Sequence, residues 1–186
     1  MTTDEQLVVE SLAGSTLAFT ELVERYQERL LRYLLTRATN RADAEDAVQD
    51  TFISAYRYLY SFNPQWRFST WIYRIAIRNA ARQARGEVDE FATLADEDAP
   101  GPLEACIAAS DRENVWLTAK RLLKQDAYAA MWLRYVEDMS IKEVARALDK
   151  TQSWTKVTLL RGRRSLSAEL SDETPVTARR ANYGRV

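Results

Sequence analysis

Between Arg57 and Arg85 lie six arginines and seven aromatic rings with no acidic residue among them. The cations are Arg57, Arg67, Arg74, Arg78, Arg82 and Arg85, and the rings are Tyr58, Tyr60, Phe62, Trp66, Phe68, Trp71 and Tyr73. Guanidinium groups neutralise backbone phosphates and rings stack on unpaired bases, so this mixture suits single-stranded DNA. With Thr70 to Arg85 helical, steps of three and four residues put Arg74, Arg78, Arg82 and Arg85 on one stripe headed by Trp71. Ile72, Ile75, Ala76 and Asn79 then form the opposite, packing side. A solvated arginine face over an ordinary core has the same stripe, and the neighbouring rings tip the balance toward nucleic acid.

Other chemistry is poorly supplied. The chain has no histidine and a single cysteine, Cys106, so the usual metal ligand, proton shuttle and activator of a serine are missing and no internal disulfide can form. No GxxxxGK[ST] or GxGxxG run occurs, and five glycines leave little material for a phosphate-cradling loop. An enzyme, a bound metal and a cofactor are therefore not expected. No apolar run approaches the length of a membrane span, and the first residues, MTTDEQLVVE, lack a basic flank and an apolar signal core, which predicts a cytoplasmic protein.

The elements that must hold these side chains read as helices. Phe19, Leu22, Val23, Tyr26, Leu30 and Leu34 recur at helical steps, and no segment alternates as a strand. Charge divides the chain: residues 17–86 carry eleven bases against seven acids, residues 87–113 one base against nine acids, and residues 114–170 eleven bases against six acids. The acidic stretch contains Pro100, Gly101 and Pro102 and has no period, as expected of a linker. The predicted fold is all-α, with two small helical domains joined by an acidic flexible linker. The divisions are an N-terminal extension (1–13), a first domain (14–86), the linker (87–110), a second domain (111–170) and a disordered tail (171–186). A linker of this size spans at most about 85 Å, enough for two domains to reach sites more than one DNA turn apart.

Two further patterns carry function. Ser140 with Glu143 forms a capping box for IKEVARAL, and a short turn from Asp149 to Gln152 leads into SWTKVTLLRGRRSL, the pattern of a helix-turn-helix. On its second helix Thr155, Leu159, Gly162 and Leu166 share the packing face, leaving Trp154, Val157, Thr158, Arg161 and Arg164 for the major groove. Thr158 and Arg161 can bond base edges, Val157 and Trp154 can meet thymine methyls, and Lys156 and Arg163 sit where phosphates run. The second pattern is DAEDAVQDTFISAY, residues 43–56, with Asp43, Glu45, Asp46 and Asp50 gathered at the start of a helix. The helix dipole favours acids there, a divalent-metal site is a weaker reading, and a face for docking a basic partner is the third.

In that order, an acidic helix, an arginine-rich helix after RFSTWIYRIA, an acidic linker and a C-terminal helix-turn-helix resemble the extracytoplasmic-function (ECF) sigma factors of bacterial RNA polymerase. The likeness covers about Leu17 to Leu170 and rests on DAEDAVQDTF, FSTWIYRIAIRNAAR and LRYVEDMSIKEVARALD. It implies docking on the clamp helices of the largest polymerase subunit through Asp46, Gln49, Asp50, Phe52 and Tyr56. It implies capture and melting of minus-ten DNA by Phe62, Asn63, Trp66, Arg67, Phe68, Ser69, Thr70, Trp71, Arg74, Arg78 and Arg82, with Trp71 as the wedge. It further implies reading of minus-thirty-five DNA by Ser153, Trp154, Lys156, Val157, Thr158, Arg161 and Arg164, with the flap region met by the same domain. Many members of that family are held inactive by a membrane-bound anti-sigma factor, a partner the likeness allows without requiring. The chain departs from the family where SWTKVT replaces the usual recognition-helix run and where Asp149 replaces the glycine usual in the turn. The rival readings are a helix-turn-helix regulator that needs no polymerase and a metal-dependent enzyme acting on nucleic acid.

Overall fold

The computed structural model describes residues 2–83 and 111–172; Arg85, the acidic linker 87–110 and the tail after Asp172 lie outside the described residues. Every regular element among those residues is helical: α1 (Asp4–Leu12), α2 (Thr16–Leu35), α3 (Arg41–Arg57), a 3-10 turn (Leu59–Ser61) and α4 (Phe68–Gln83), then α5 (Asp111–Leu122), α6 (Gln125–Tyr135), α7 (Ile141–Leu148) and α8 (Gln152–Asp172). This is the all-α fold that the periodicity predicts.

The stops are local. Asn40 caps α3 by accepting from the Asp43 amide, and Ser15 caps α2 by accepting from Ala18. Gly14, at a φ of +100°, makes the turn between α1 and α2 in a conformation that an L side chain rarely adopts. Leu22, Tyr26, Leu30, Tyr33 and Leu34 line the buried side of α2 and pack against α3 and α4.

The N-terminal extension turns out to be part of this core. Thr3 and Gln6 close a capping box on α1, which buries Leu7 and Val8 against α2. Asp4 fixes the docking by accepting from Arg25 at 2.6 Å and from the Tyr26 hydroxyl.

In the C-terminal half, α5, α6 and α7 all contact α8. Gly162 lies where α8 crosses α6, and a methyl group there would come within 3.1 Å of the Met131 sulfur, so the helices approach closely because this position has no side chain.

The two halves do not stand apart. Buried residues from Leu7 to Leu166 form one continuous apolar cluster, and α4 packs directly on α7. At the seam Tyr33 of α2 lies 6.0 Å, ring to ring, from Trp132 of α6. Beside them Arg29 of α2 pairs with Glu137, whose side chain is only 2% exposed. A carboxylate so far from water depends on its cation. Because Arg29 keeps 35% of its exposure, Glu137→Gln is expected to cost about 2–3 kcal/mol, somewhat less than a fully buried pair. Urea unfolding followed by tryptophan fluorescence should then separate into two transitions where the parent chain shows one.

Candidate nucleic-acid interface

Three surfaces contain the residues singled out from the sequence. On α3, Asp46, Gln49, Asp50, Ile53 and Tyr56 are all exposed and follow one another at helical steps along one side. The Tyr56 ring is steadied by an edge contact with Phe19 at 4.9 Å, and Ile53 and Tyr56 leave more than half of their surface in water. Two of the acids nearer the helix start have local partners: Asn40 holds Asp43, and Arg41 pairs with Glu45 at 2.7 Å. Phe52 does not belong to the exposed side. It is buried against Phe19, because steps of four and three residues align it with Val48 and Ala55 on the side of α3 that faces the core.

The second surface is α4 with the loop before it. Asn63 ties that loop by accepting from the Gln65 amide at 2.9 Å. Asn63, Arg67, Arg78 and Arg82 are exposed, and Trp66, Ser69 and Arg74 are half-buried. The expectation that Trp71 heads an open stripe is corrected: Trp71 is 7% exposed and sits between Phe62 at 5.6 Å and Phe68 at 5.8 Å. Phe62, Phe68 and Thr70 are buried with it. The rings that the loop lays over α4 pack on one another and on Tyr26 of α2, so most of the aromatic cluster supports the arginine stripe from beneath.

That stripe faces the other half of the molecule. Arg67 pairs with Glu143 at 3.3 Å, while Arg74 and Arg78 reach the two carboxylate oxygens of Asp149 at 3.3 and 3.7 Å. Arg74 also donates to the Arg146 carbonyl, and the guanidinium groups of Arg74 and Arg146 lie 5.7 and 5.3 Å from the centre of the Trp66 ring. For Glu143, burial opposes ionisation, but hydrogen bonds from Ser140 and the charges of Arg67 and Arg146 outweigh it and hold the carboxyl below its ordinary value. Its contribution to the seam is therefore complete above the ordinary carboxylate range and is lost as pH falls through the lowered value. None of these partners was visible in the periodicity of α4.

The third surface is α8, where the structure follows the sequence closely. Ser140 and Glu143 form the expected capping box, Thr151 caps α8 by accepting from Trp154, and Thr155, Leu159, Gly162 and Leu166 are buried. Ser153, Lys156, Val157, Arg161, Arg163 and Arg164 are exposed, with Trp154 and Thr158 half-buried among them. Lys150 approaches the Trp154 ring at 5.4 Å and pairs with Asp126. Asp149, the residue that ends α7, has a φ of +57°, so the turn keeps the left-handed geometry although an aspartate stands there.

A helix-turn-helix with an open basic recognition face, joined to a helical half bearing a second basic helix and an acidic exposed helix, defines a DNA-binding protein of transcription. The sigma-70 region 2 family matches residues 22–88. Over 184 residues, covering 90% of this chain and 95% of the relative, the chain is 31% identical to the ECF RNA polymerase sigma-E factor of Haemophilus influenzae. It is 30% identical over 178 residues to that of Escherichia coli, covering 88% of this chain and 92% of the relative. A solved structure of CnrH in complex with the cytosolic domain of CnrY superimposes with a TM-score of 0.68 at 25% identity, over 92% of this chain and 99% of the other. The fold is also that of the sigma factor RpoE of Bartonella quintana, solved with the anti-sigma factor NepR, at a TM-score of 0.62 and 17% identity over 83% of this chain and 98% of the other. The chain belongs to the ECF family of RNA polymerase sigma factors, which are initiation factors and not enzymes. No helix among the described residues is long and apolar enough to cross a membrane.

With Trp71 in the core, its truncation tests packing before it tests DNA. Trp71→Ala is expected to lower the unfolding free energy by about 3–5 kcal/mol, read from a denaturant titration. A loss below about 1 kcal/mol would return Trp71 to the surface.

Proposed function

We propose that residues 14–86 dock on core polymerase and open the minus-ten element, while residues 111–170 read the minus-thirty-five element and meet the polymerase flap. The observation that carries this reading is the pair of faces left open on opposite halves. Asp46, Gln49, Asp50, Ile53 and Tyr56 on α3 present acids around an apolar centre, and α8 presents Lys156, Val157, Arg161 and Arg164. The first suits a basic protein surface, and the second suits a major groove.

The arginines of α4 and Arg67 just before it serve the melted strand. Arg67, Arg74, Arg78 and Arg82 contact phosphates, Asn63 and Ser69 supply hydrogen bonds, and Trp66 is the half-exposed ring available for stacking. Phe62, Phe68, Thr70 and Trp71 act from below by fixing the loop and the helix, and Phe52 does the same under the α3 face. A captured base is worth about 1–3 kcal/mol, close to what unstacking it costs, so opening can proceed without nucleotide hydrolysis. The place of work is the cytoplasm, where polymerase and chromosome are found. CnrH was solved with the cytosolic domain of CnrY, and a regulatory protein of that kind is the further partner we propose.

Two variants test the halves separately. Asp50→Lys should weaken binding to purified core polymerase by about tenfold or more while the thermal unfolding midpoint holds, because like charges then meet at the interface. Normal core binding would sink the docking assignment. Arg161→Ala should cost about 1–3 kcal/mol on promoter duplex and relax preference at one base pair of the upstream element, measured by anisotropy across single-base substitutions.

A further inference from the structure

Helix α1 lies outside the residues assigned above to docking and strand opening, yet it reaches both ends of the loop that carries Asn63, Trp66 and Arg67. Before that loop, α1 contacts the 3-10 turn Leu59–Ser61. After it, the Glu5 carboxylate accepts from the amide of Phe68, the first residue of α4, at 3.4 Å. A loop whose two ends rest on one rigid element presents its side chains in a fixed arrangement.

The second of these ties fills a local deficit. Arg67 stands at the N-cap position of α4, where its carbonyl accepts from the Trp71 amide but its side chain has no oxygen to offer the orphan amides of the first turn. No acid occurs between Arg57 and Arg85, so nothing near in sequence complements the positive end of the helix dipole. Glu5 brings an acceptor and a negative charge to that end from 63 residues away.

Its neighbour Asp4 sets α1 so that Glu5 arrives in place. Asp4 accepts from Arg25 at 2.6 Å and from the Tyr26 hydroxyl, and Arg25 also reaches the Thr2 carbonyl at 2.9 Å. Burial, followed by the bond to Asp4, raises the Tyr26 phenol from its ordinary value, so it stays a donor across the physiological range. The Tyr26 ring meets Phe68 edge-on with centroids 5.2 Å apart, and Phe68 in turn supports Phe62 and Trp71. Phe68 is thus held by its amide from α1 and by its ring from a residue that α1 also grips.

We propose that Glu5 is a positioning residue for strand capture: by capping α4 from α1 it fixes the loop 62–67, and with it the placing of Asn63, Trp66 and Arg67 against an unpaired strand. The inference rests on the minus-ten assignment of that loop. It gives the N-terminal extension a part in promoter opening beyond its part in the core.

The test uses holoenzyme assembled from purified core polymerase and the full chain, on a duplex promoter that this holoenzyme selects from a random-sequence library. Opening is followed by permanganate reactivity of unpaired thymines, well below the unfolding midpoint, and core and closed-complex affinities by anisotropy. Glu5→Ala is expected to slow opening about fivefold, the size of one lost cap, while both affinities stay within about twofold of the parent. Glu5→Gln keeps an acceptor oxygen and should open within about twofold of the parent. In a Trp66→Ala background, itself slow to open, Glu5→Ala should cost less than it does alone, because the ring it places is gone. Opening by Glu5→Ala at the parent rate would overturn the proposal. So would Glu5→Gln as slow as Glu5→Ala, or equal losses in core binding, closed-complex binding and opening. If Glu5→Ala opens normally, Trp66→Ala alone tells where the fault lies: slow opening leaves the minus-ten assignment standing without the cap, and normal opening removes the assignment of the loop itself.

Discussion

The closed arrangement depends on a carboxylate that has almost no water. Glu137 sits in the bend between α6 and α7, where Asp138 takes a positive φ and the Met139 amide returns to the carbonyl of Leu133. That bend aims Glu137 at Arg29 of α2. Arg29 is itself held from both sides: its guanidinium lies over the Tyr26 ring, and its backbone carbonyl accepts from the Tyr73 hydroxyl of α4. Burial, reinforced by the charge of Glu137, pushes the Tyr73 phenol well up from its ordinary value, so it remains a donor throughout the physiological range. One ion pair thus ties α2, α4 and the α6–α7 bend together. Such a pair adds little to stability compared with apolar side chains of the same size, but it is demanding about geometry. It selects one way for the halves to meet, and that way brings α7 onto α4.

The consequence falls on the arginines. A guanidinium at this surface must be hydrated, paired with a carboxylate or paired with a phosphate, and these states differ by little because each offers charge-assisted hydrogen bonds. Arg67, Arg74 and Arg78 occupy the second state in the closed protein. Exchange of a carboxylate for a phosphate is therefore a small step in free energy, and it can be directed by whichever partner separates the halves. An apolar cover over the same helix would have to be exposed to water on opening, which costs about 25 cal/mol for each Å². Ionic pairing avoids that penalty at the arginine stripe itself, while the rings of Tyr33 and Trp132 meet across the seam within the continuous apolar cluster.

Much of the molecule was legible as sequence because its signals are local. Ser140 and Glu143 announce α7, the steps from Thr155 to Leu166 announce the buried side of α8, and the α2 stripe is a regular one. What was not legible came from segments laid across a helix. Trp71 shares a stripe with Arg74 by spacing, but Phe62 folds over it from the preceding loop and meets Phe68 of the first turn of α4 there, and the spacing of the arginines carries no trace of that. Helix α1 did have a signal, Thr3 followed by Gln6, inside an acidic segment too short for its period to stand out. The contact between the halves had none. Both basic blocks carry net positive charge, which by itself predicts repulsion, and the ionic attraction comes from three acids, Glu137 in the α6–α7 bend, Glu143 at a helix start and Asp149 at a left-handed turn.

The faces that remain open order the events. Asp46, Gln49, Asp50, Ile53 and Tyr56 of α3 and the outer side of α8 are exposed in the closed form, and on the proposed assignments docking on polymerase and inspection of duplex DNA both start from it. With α4 against α7, the two DNA-binding helices lie too close to serve elements more than one turn, about 34 Å, apart along a promoter. On the proposed assignments, a template that engages both elements has to separate the halves, and the separation that satisfies its spacing is the same one that breaks the pairs of Arg67, Arg74 and Arg78.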